Sequence, residues 1–271
     1  MTGTPLPPIV RSPDHVARWS SLSWTILRPG AMSGAENQAL EEVLVSSLAS
    51  GERGPCIRVW DWTGSCAILG RFQSVRNEID IQAAARLEVA LVRRITGGGT
   101  MFIEPGGAIT YSIYAPESLV ADLDFVQSYE FFDSWTVDAL RELGIDAWYR
   151  PVNDIASVHG KIAGAAQARR AGVVLHHTTM AYSMNIPLML SVLRTGKERL
   201  SDKGIPSANK TVGPLNLLTG LSREDIIGSM IASFGRRYGI VPGRISAGEA
   251  AAAERLTREK FGSDAWTYFL S

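Results

Sequence analysis

The chain has 271 residues, 45% apolar and 20% charged, ordinary globular usage that excludes a disordered, collagen-like or low-complexity chain. Lys and Arg together number 27, as do Asp and Glu, so no overall positive field exists to gather nucleic acid or an acidic membrane. Its two cysteines, Cys56 and Cys66, form neither a disulfide framework nor a zinc-ligand spacing, and there are four histidines, so chemistry is expected to rest mainly on other residue types.

Residues 1–15 carry Pro5, Pro7, Pro8 and Pro13 and no apolar run. They are expected as a flexible leader rather than a signal peptide. Residues 16–271 are expected as a single domain ending in a helical tail. No stretch approaches the ~18 consecutive apolar residues of a membrane span, and the expected location is the cytoplasm.

In chain order, Ser33 can cap a helix running to Leu48, with Ala35, Ala39, Val43 and Leu44 at helical spacing. Strands are expected over Cys56–Asp61 and Cys66–Leu69, then a helix over Glu78–Leu87 and a strand over Val89–Arg93. Gly107–Tyr114 alternates, with Ile109, Tyr111 and Ile113 on one face and Thr110, Ser112 and Tyr114 on the other. An amphipathic helix runs from Phe125 to Leu143 and stops at Gly144. Four strands follow, over 147–150, 154–158, 161–167 and 172–183. Helices then cover Ser222–Tyr238, with Ser222 and Asp225 placed for a capping box, and Ala247–Phe261. Helices and strands mix without a regular βαβ rhythm, so the expected class is α+β with a mixed, mostly antiparallel sheet and flanking helices.

Two segments carry candidate chemistry. Arg93-Arg94-Ile95-Thr96-Gly97-Gly98-Gly99-Thr100 places glycines after a strand, where backbone N–H groups can approach an anion. Arg94 beside it suits a carboxylate or a phosphate. The spacing is not that of a Walker P-loop, and a flexible hairpin turn accounts for a glycine run equally well. In the second segment, Asn153-Asp154-Ile155 precedes His159-Gly160-Lys161-Ile162-Ala163-Gly164-Ala165. Lys161, Ala163 and Ala165 are expected on one face, with small residues leaving room for a ligand beside the ammonium; taken alone, Lys161 also reads as a solvated lysine at a hairpin end.

Together these segments resemble the lipoate–protein ligase A family, within the superfamily of biotin/lipoate ligases and octanoyl transferases. Three further pieces stand in the same order: Glu36 to Glu42, the Gly70-Arg71-Phe72-Gln73 element, and Leu175 to Thr179. The resemblance covers roughly residues 33–215 and makes residues 16–271 a biotin/lipoate ligase-like catalytic domain. It implies an acyl ligase that converts lipoate or octanoate with ATP to an acyl-adenylate. The acyl group then passes to a lysine of a 2-oxoacid dehydrogenase lipoyl domain or of the glycine-cleavage H protein. By resemblance, Lys161 is catalytic, and Arg71, Arg94, Gly97, Gly98, Gly99, Thr100, Asn153, Asp154, Ala163 and Gly164 surround the substrates. Asn153 and Asp154 would lie near the nucleotide and any Mg2+, whose ligands stay unassigned. Two positions depart from the family pattern: Ile103 stands where it has histidine and Gly107 where it has asparagine. The chain reads as a short form without the C-terminal accessory domain, and short members can depend on a separate small accessory protein.

Three alternatives stand beside this reading. Octanoyl transferases of the superfamily pass the acyl group through a cysteine thioester, but no cysteine follows position 66 and both cysteines are expected buried in strands. Biotin ligases carry a Gly-Arg-Gly-Arg element where this chain has Thr96-Gly97-Gly98-Gly99. The third is a non-catalytic lipoyl-carrier binding protein that kept the fold. Of His176 and His177, one is expected to face inward and one outward. The tryptophans are expected in the core. Lys197, Arg199, Lys203 and Lys210 belong to a loop that is either a solvated face or a flap over the adenylate.

Overall fold

The structure, a computed structural model, describes residues 12–194 and 213–270; the expected flap lies outside them. Ser12 caps α1 (Pro13–Ser20), its hydroxyl accepting from the His15 N–H, and Pro13 takes the first turn, where its missing donor costs nothing. A helix therefore begins inside the stretch expected as a leader. After β1 (Thr25–Leu27) and β2 (Ala31–Met32), Ser33 and Glu36 close a reciprocal capping box on α2 (Gly34–Ala49). Strands β3 (Cys56–Trp62) and β4 (Cys66–Leu69) stand where expected. The helix expected over Glu78–Leu87 is instead α3 (Val75–Glu78) and α4 (Ile81–Arg86), because Ser74 and Asp80 each cap a separate start.

Next come β5 (Ala90–Arg93), β6 (Met101–Ile103), β7 (Ala108–Pro116), α5 (Phe125–Glu142), β8 (Trp148–Arg150) and β9 (Asp154–Ser157). The chain continues through β10 (Gly160–Arg170), β11 (Val173–Ala181), α6 (Ile186–Val192), α7 (Arg223–Tyr238), β12 (Val241–Pro242) and α8 (Ala247–Leu256). A single π-turn over Thr257–Phe261 and a short α9 (Asp264–Thr267) follow. Strands β1, β2, β6 and β12, of two or three residues each, are too short to leave a periodic signal.

The large sheet runs β12-β1-β3-β7-β11-β10-β9-β8, with β2 beside β3, and the small sheet runs β5-β4-β6. Pairings β1–β12, β1–β3, β2–β3 and β4–β5 are parallel and the remainder antiparallel. The fold is thus α+β with a mixed, mostly antiparallel sheet. One face of the large sheet packs on α1, α5 and α7 through Trp19, Phe132, Trp135 and Phe234 with Tyr111, Ile113 and Val174. The other face packs on α2 through Leu40 and Leu44 with Tyr114, Val173 and Leu175. Alternation along β7 sends Ile109, Tyr111 and Ile113 to the first face, as expected, but β7 is buried on both faces. Among the described residues no helix is long and apolar enough to cross a membrane.

Candidate active site

The glycine loop between β5 and β6 lies against the middle of the large sheet: a Cβ on Gly98, where φ is +92°, would stand 3.9 Å from the Ala166 Cβ of β10 and 2.9 Å from an Arg94 guanidinium nitrogen. That backbone conformation and that proximity both favour glycine. Arg94 does not reach outward to a ligand. It is 1% exposed, and its Nη2 donates to Gly97 O at 2.5 Å and Gly99 O at 2.8 Å, its Nη1 to Ile68 O at 3.0 Å and its Nε to Thr96 Oγ1 at 2.9 Å. The anion ligand expected at Arg94 is instead the brace that shapes the loop, and burial pushes its guanidinium down to about 10.

Lys161 lies on β10 before a β-bulge: Lys161 faces Ala156 of β9, but Ala163 faces the next residue back, Ile155. The bulge re-aims the side chain. A Cβ on Gly164 would lie 2.6 Å from Lys161 Nζ, so the ammonium folds over Gly164. The expected face shared with Ala163 and Ala165 does not exist; Ala163 packs in the core on the other side of the sheet. Gly164 and Ala166 share a face two residues apart, about 7 Å by strand rise. The Lys161 ammonium therefore stands one pleat from the glycine loop. Its Nζ is 2.7 Å from Asp154 Oδ1, and Arg150 Nη2 is 3.0 Å from Asp154 Oδ2. Asn153 spends its Nδ2 on Ala165 O at 2.6 Å, and its own carbonyl accepts from Ala165 N, which continues the β9–β10 pairing past Asp154.

The Gly70–Gln73 turn after β4 closes the site. Arg71 N donates to Thr96 O, and Gln73 Oε1 accepts from Gly70 N and Thr100 Oγ1. The Arg71 guanidinium lies 4.3 Å from the ring centroids of both Trp266 and Phe269, two rings that also touch each other with centroids 5.7 Å apart, so it makes cation–π contact with both. Its neighbour Arg93 is fully buried and donates to Gly70 O and Gln73 O on one side and Thr267 O on the other. The C-terminal residues thus belong to the site's frame, which sequence reading missed; the Trp266/Phe269 spacing was the available signal.

Both cysteines are buried, and burial pushes each thiol up to about 12. Ile103 pairs with Cys66 across β4–β6, and Gly107 O accepts from Tyr182 N and Ser183 N, so both departures from the family pattern sit in the frame. Both consecutive histidines of β11 are buried, because helices cover both faces of the sheet: His176 meets Asp133 of α5, and His177 meets Glu41 of α2. Among the described residues no three His, Cys, Asp or Glu side chains gather as a metal cage. Asp154, the carboxylate at the site, already faces two cations, so these residues do not fit a protein-built Mg2+ site.

A curated relative, the octanoyltransferase LipM of Symbiobacterium thermophilum, is 27% identical over 276 residues, spanning 90% of this chain and 97% of that protein. A solved structure of the bipartite lipoate protein ligase of Thermoplasma acidophilum, studied with its E2 lipoyl domain, superposes with a TM-score of 0.78 at 23% identity, over 92% of this chain and 98% of that one. Lipoate-protein ligase A bound with ATP superposes with a TM-score of 0.77 at 24% identity, over 91% and 99%. The family model described as the lipoyl protein ligase A/B catalytic domain matches residues 33–235. That match runs from the cap of α2 into α7 and takes in the glycine loop, the bulged β10 and β11, and on it the chain belongs to the lipoyl protein ligase A/B catalytic domain family.

Proposed function

We propose that the protein attaches an octanoyl or lipoyl group to the ε-amine of a lysine on a lipoyl domain or an H protein, and that it activates the acyl group as an adenylate. Family membership supports the acyl transfer. The observation that carries the adenylate route is the state of the thiols: the chain's only cysteines are fully buried and resist ionisation, whereas a thioester route needs an accessible thiolate.

In this route a carboxylate oxygen attacks the α-phosphorus of ATP, a P–O bond forms and pyrophosphate leaves. The acceptor amine then attacks the acyl carbon, AMP leaves and the amine's proton is released. The Lys161 ammonium beside the Gly97–Gly99 loop offers a positive charge where carboxylate and phosphate converge. Any Mg2+ would be carried by the phosphates rather than by this chain's side chains.

A second reading has an observation of its own: the relative LipM is an octanoyltransferase. Donor specificity separates the two. The protein is incubated with a lipoyl domain and either octanoate, lipoate and ATP, or octanoyl-carrier protein without ATP, and the acceptor is weighed by mass spectrometry. ATP-dependent labelling with pyrophosphate release is expected; equal labelling from the carrier without ATP would establish the transferase.

A further inference from the structure

We infer that His177, oriented by Glu41, is a positioning residue that fixes the glycine loop through Thr96 and Arg94. This deepens the proposed function and rests on it for the kinetic readout, while the loop measurement below stands independently.

The hydrogen bonds converge on the Glu41 carboxylate from two sides. Trp60 Nε1 can only donate, and it donates to Ser112 Oγ at 2.9 Å. The Ser112 hydroxyl then gives its one proton to Glu41 Oε1 at 2.8 Å. Glu41 Oε1 is also 2.9 Å from His177 Nδ1, so Nδ1 carries the ring proton and donates. In the neutral ring Nε2 is left as an acceptor, and Thr96 Oγ1 stands 3.0 Å from it. Arg94 Nε donates to that same Thr96 oxygen at 2.9 Å. The Thr96 hydroxyl thus gives its proton to His177 and receives one from Arg94, with no other geometry needed.

Every residue of this chain from Trp60 to Arg94 is at most 1% exposed, so its bonds are not exchanged with water and a lost one leaves a stranded polar group. The far end is the guanidinium whose Nη2 holds the carbonyls of Gly97 and Gly99. Rotation of Arg94 would release both carbonyls. The chain fixes its rotation through a side chain on α2 and a side chain on β11, elements that are rigid parts of the core. It also accounts for three motifs at once: the early helix with Glu41, the Thr96 glycine loop and the His177 strand.

Four variants test this: Thr96→Val, which keeps shape and removes the hydroxyl; Thr96→Ser, which restores it; His177→Asn, which keeps a donor toward Glu41 but cannot accept from Thr96; and the Thr96→Val/His177→Asn pair. Amide hydrogen exchange at Gly97–Gly99, thermal melting, and KM and kcat for the acyl acid and ATP are measured. Thr96→Val is expected to speed exchange at the loop and raise KM roughly 10-fold with a smaller change in kcat. Thr96→Ser returns both toward wild type, and the double variant is no worse than the poorer single variant, as for partners in one chain. Wild-type exchange and KM in a folded Thr96→Val protein would overturn the inference. So would a Thr96→Ser protein as impaired as Thr96→Val. If no donor labels an acceptor in the wild type, the proposed function fails, and the exchange rates alone still decide the role of His177.

Discussion

The carbonyl oxygen of Gly98 occupies the space in which a side chain on Gly70 would begin: a Cβ there would lie 2.0 Å from that oxygen and 3.0 Å from its carbon. Two loops distant in sequence therefore touch backbone to backbone. Gly70→Ala must push the glycine loop off the sheet. The expected cost is about 1–3 kcal/mol of stability, with a roughly hundred-fold or greater loss of acyl transfer, since displaced donors no longer meet the developing charge. Thermal melting and acceptor labelling read the two effects separately; an active Gly70→Ala protein would show that the loop does not hold substrate.

The thiols give a second expectation. With both pushed up to about 12 by burial, neither should react with a thiol reagent in the native protein at pH 8, and both should react after unfolding. Cys56→Ala and Cys66→Ala, singly or together, should keep most of the activity. An acyl adduct on either sulfur, detected by intact mass and lost on substitution, would reverse the choice in favour of the transferase.

Lys161→Ala should abolish pyrophosphate release in a protein that still folds; some loss of melting temperature accompanies it, because the buried Asp154 carboxylate loses one of its two cationic partners and keeps Arg150. Removing a preorganised donor in a water-poor site costs roughly 10²–10³ in rate. Lys161→Arg should not rescue, since a planar guanidinium does not reproduce the point charge that the ammonium places over Gly164. Gly164→Ala should lower the rate in part, its new methyl crowding the Lys161 Nζ and Cε, which would lie 2.6 and 3.0 Å from it, and displacing the ammonium. Normal release from folded Lys161→Ala would reduce the lysine to a surface charge.

Trp266→Ala should raise KM for the acyl acid several-fold and change kcat less. It removes one of the two rings that hold the Arg71 guanidinium, and a desolvated cation–π contact is worth up to about 2 kcal/mol. It also removes the Trp266 Nε1 bond to Arg93 O, so some loss of melting temperature accompanies the kinetic effect. An unchanged KM would separate the tail from the site.

Arg53 and Glu249 tie the loop after α2 to α8, with bonds of 2.6 and 2.5 Å between two nearly buried side chains. Burial alone would raise the Glu249 carboxyl, but the Arg53 guanidinium and the Ser246 backbone N–H outweigh it and hold the group at about 2. A carboxyl lowered in the folded state adds stability that is full above its unfolded value of roughly 4.3 and is lost as pH falls through the folded value. Glu249→Gln should therefore flatten the acid limb of stability between about pH 4 and pH 2. Arg53→Ala, which strands the carboxylate, should cost about 3 kcal/mol at neutral pH. Denaturant unfolding across that pH range checks both.

Local signals were enough for much of the architecture. Ser33 and Ser222 mark helix starts because a side-chain oxygen and an N3 acceptor satisfy orphan N–H groups without help from distant residues. The alternation of β7 is local in the same sense, and so is the order of the glycine loop and the lysine segment. What the sequence could not decide is where a side chain points once other elements arrive. Arg94 looked like an anion ligand, but in the fold the carbonyls of its own loop surround it. Lys161 left its expected face because β10 pairs with β9 through a bulge that strand periodicity does not contain. His176 and His177 were expected on an inner and an outer face, yet α5 and α2 cover both. The sequence by itself determined most of the longer elements and the family pattern, which depend on neighbours a few residues apart. Only the tertiary structure decided which charges are braces and which stand open, because burial and partner choice are set by residues far along the chain.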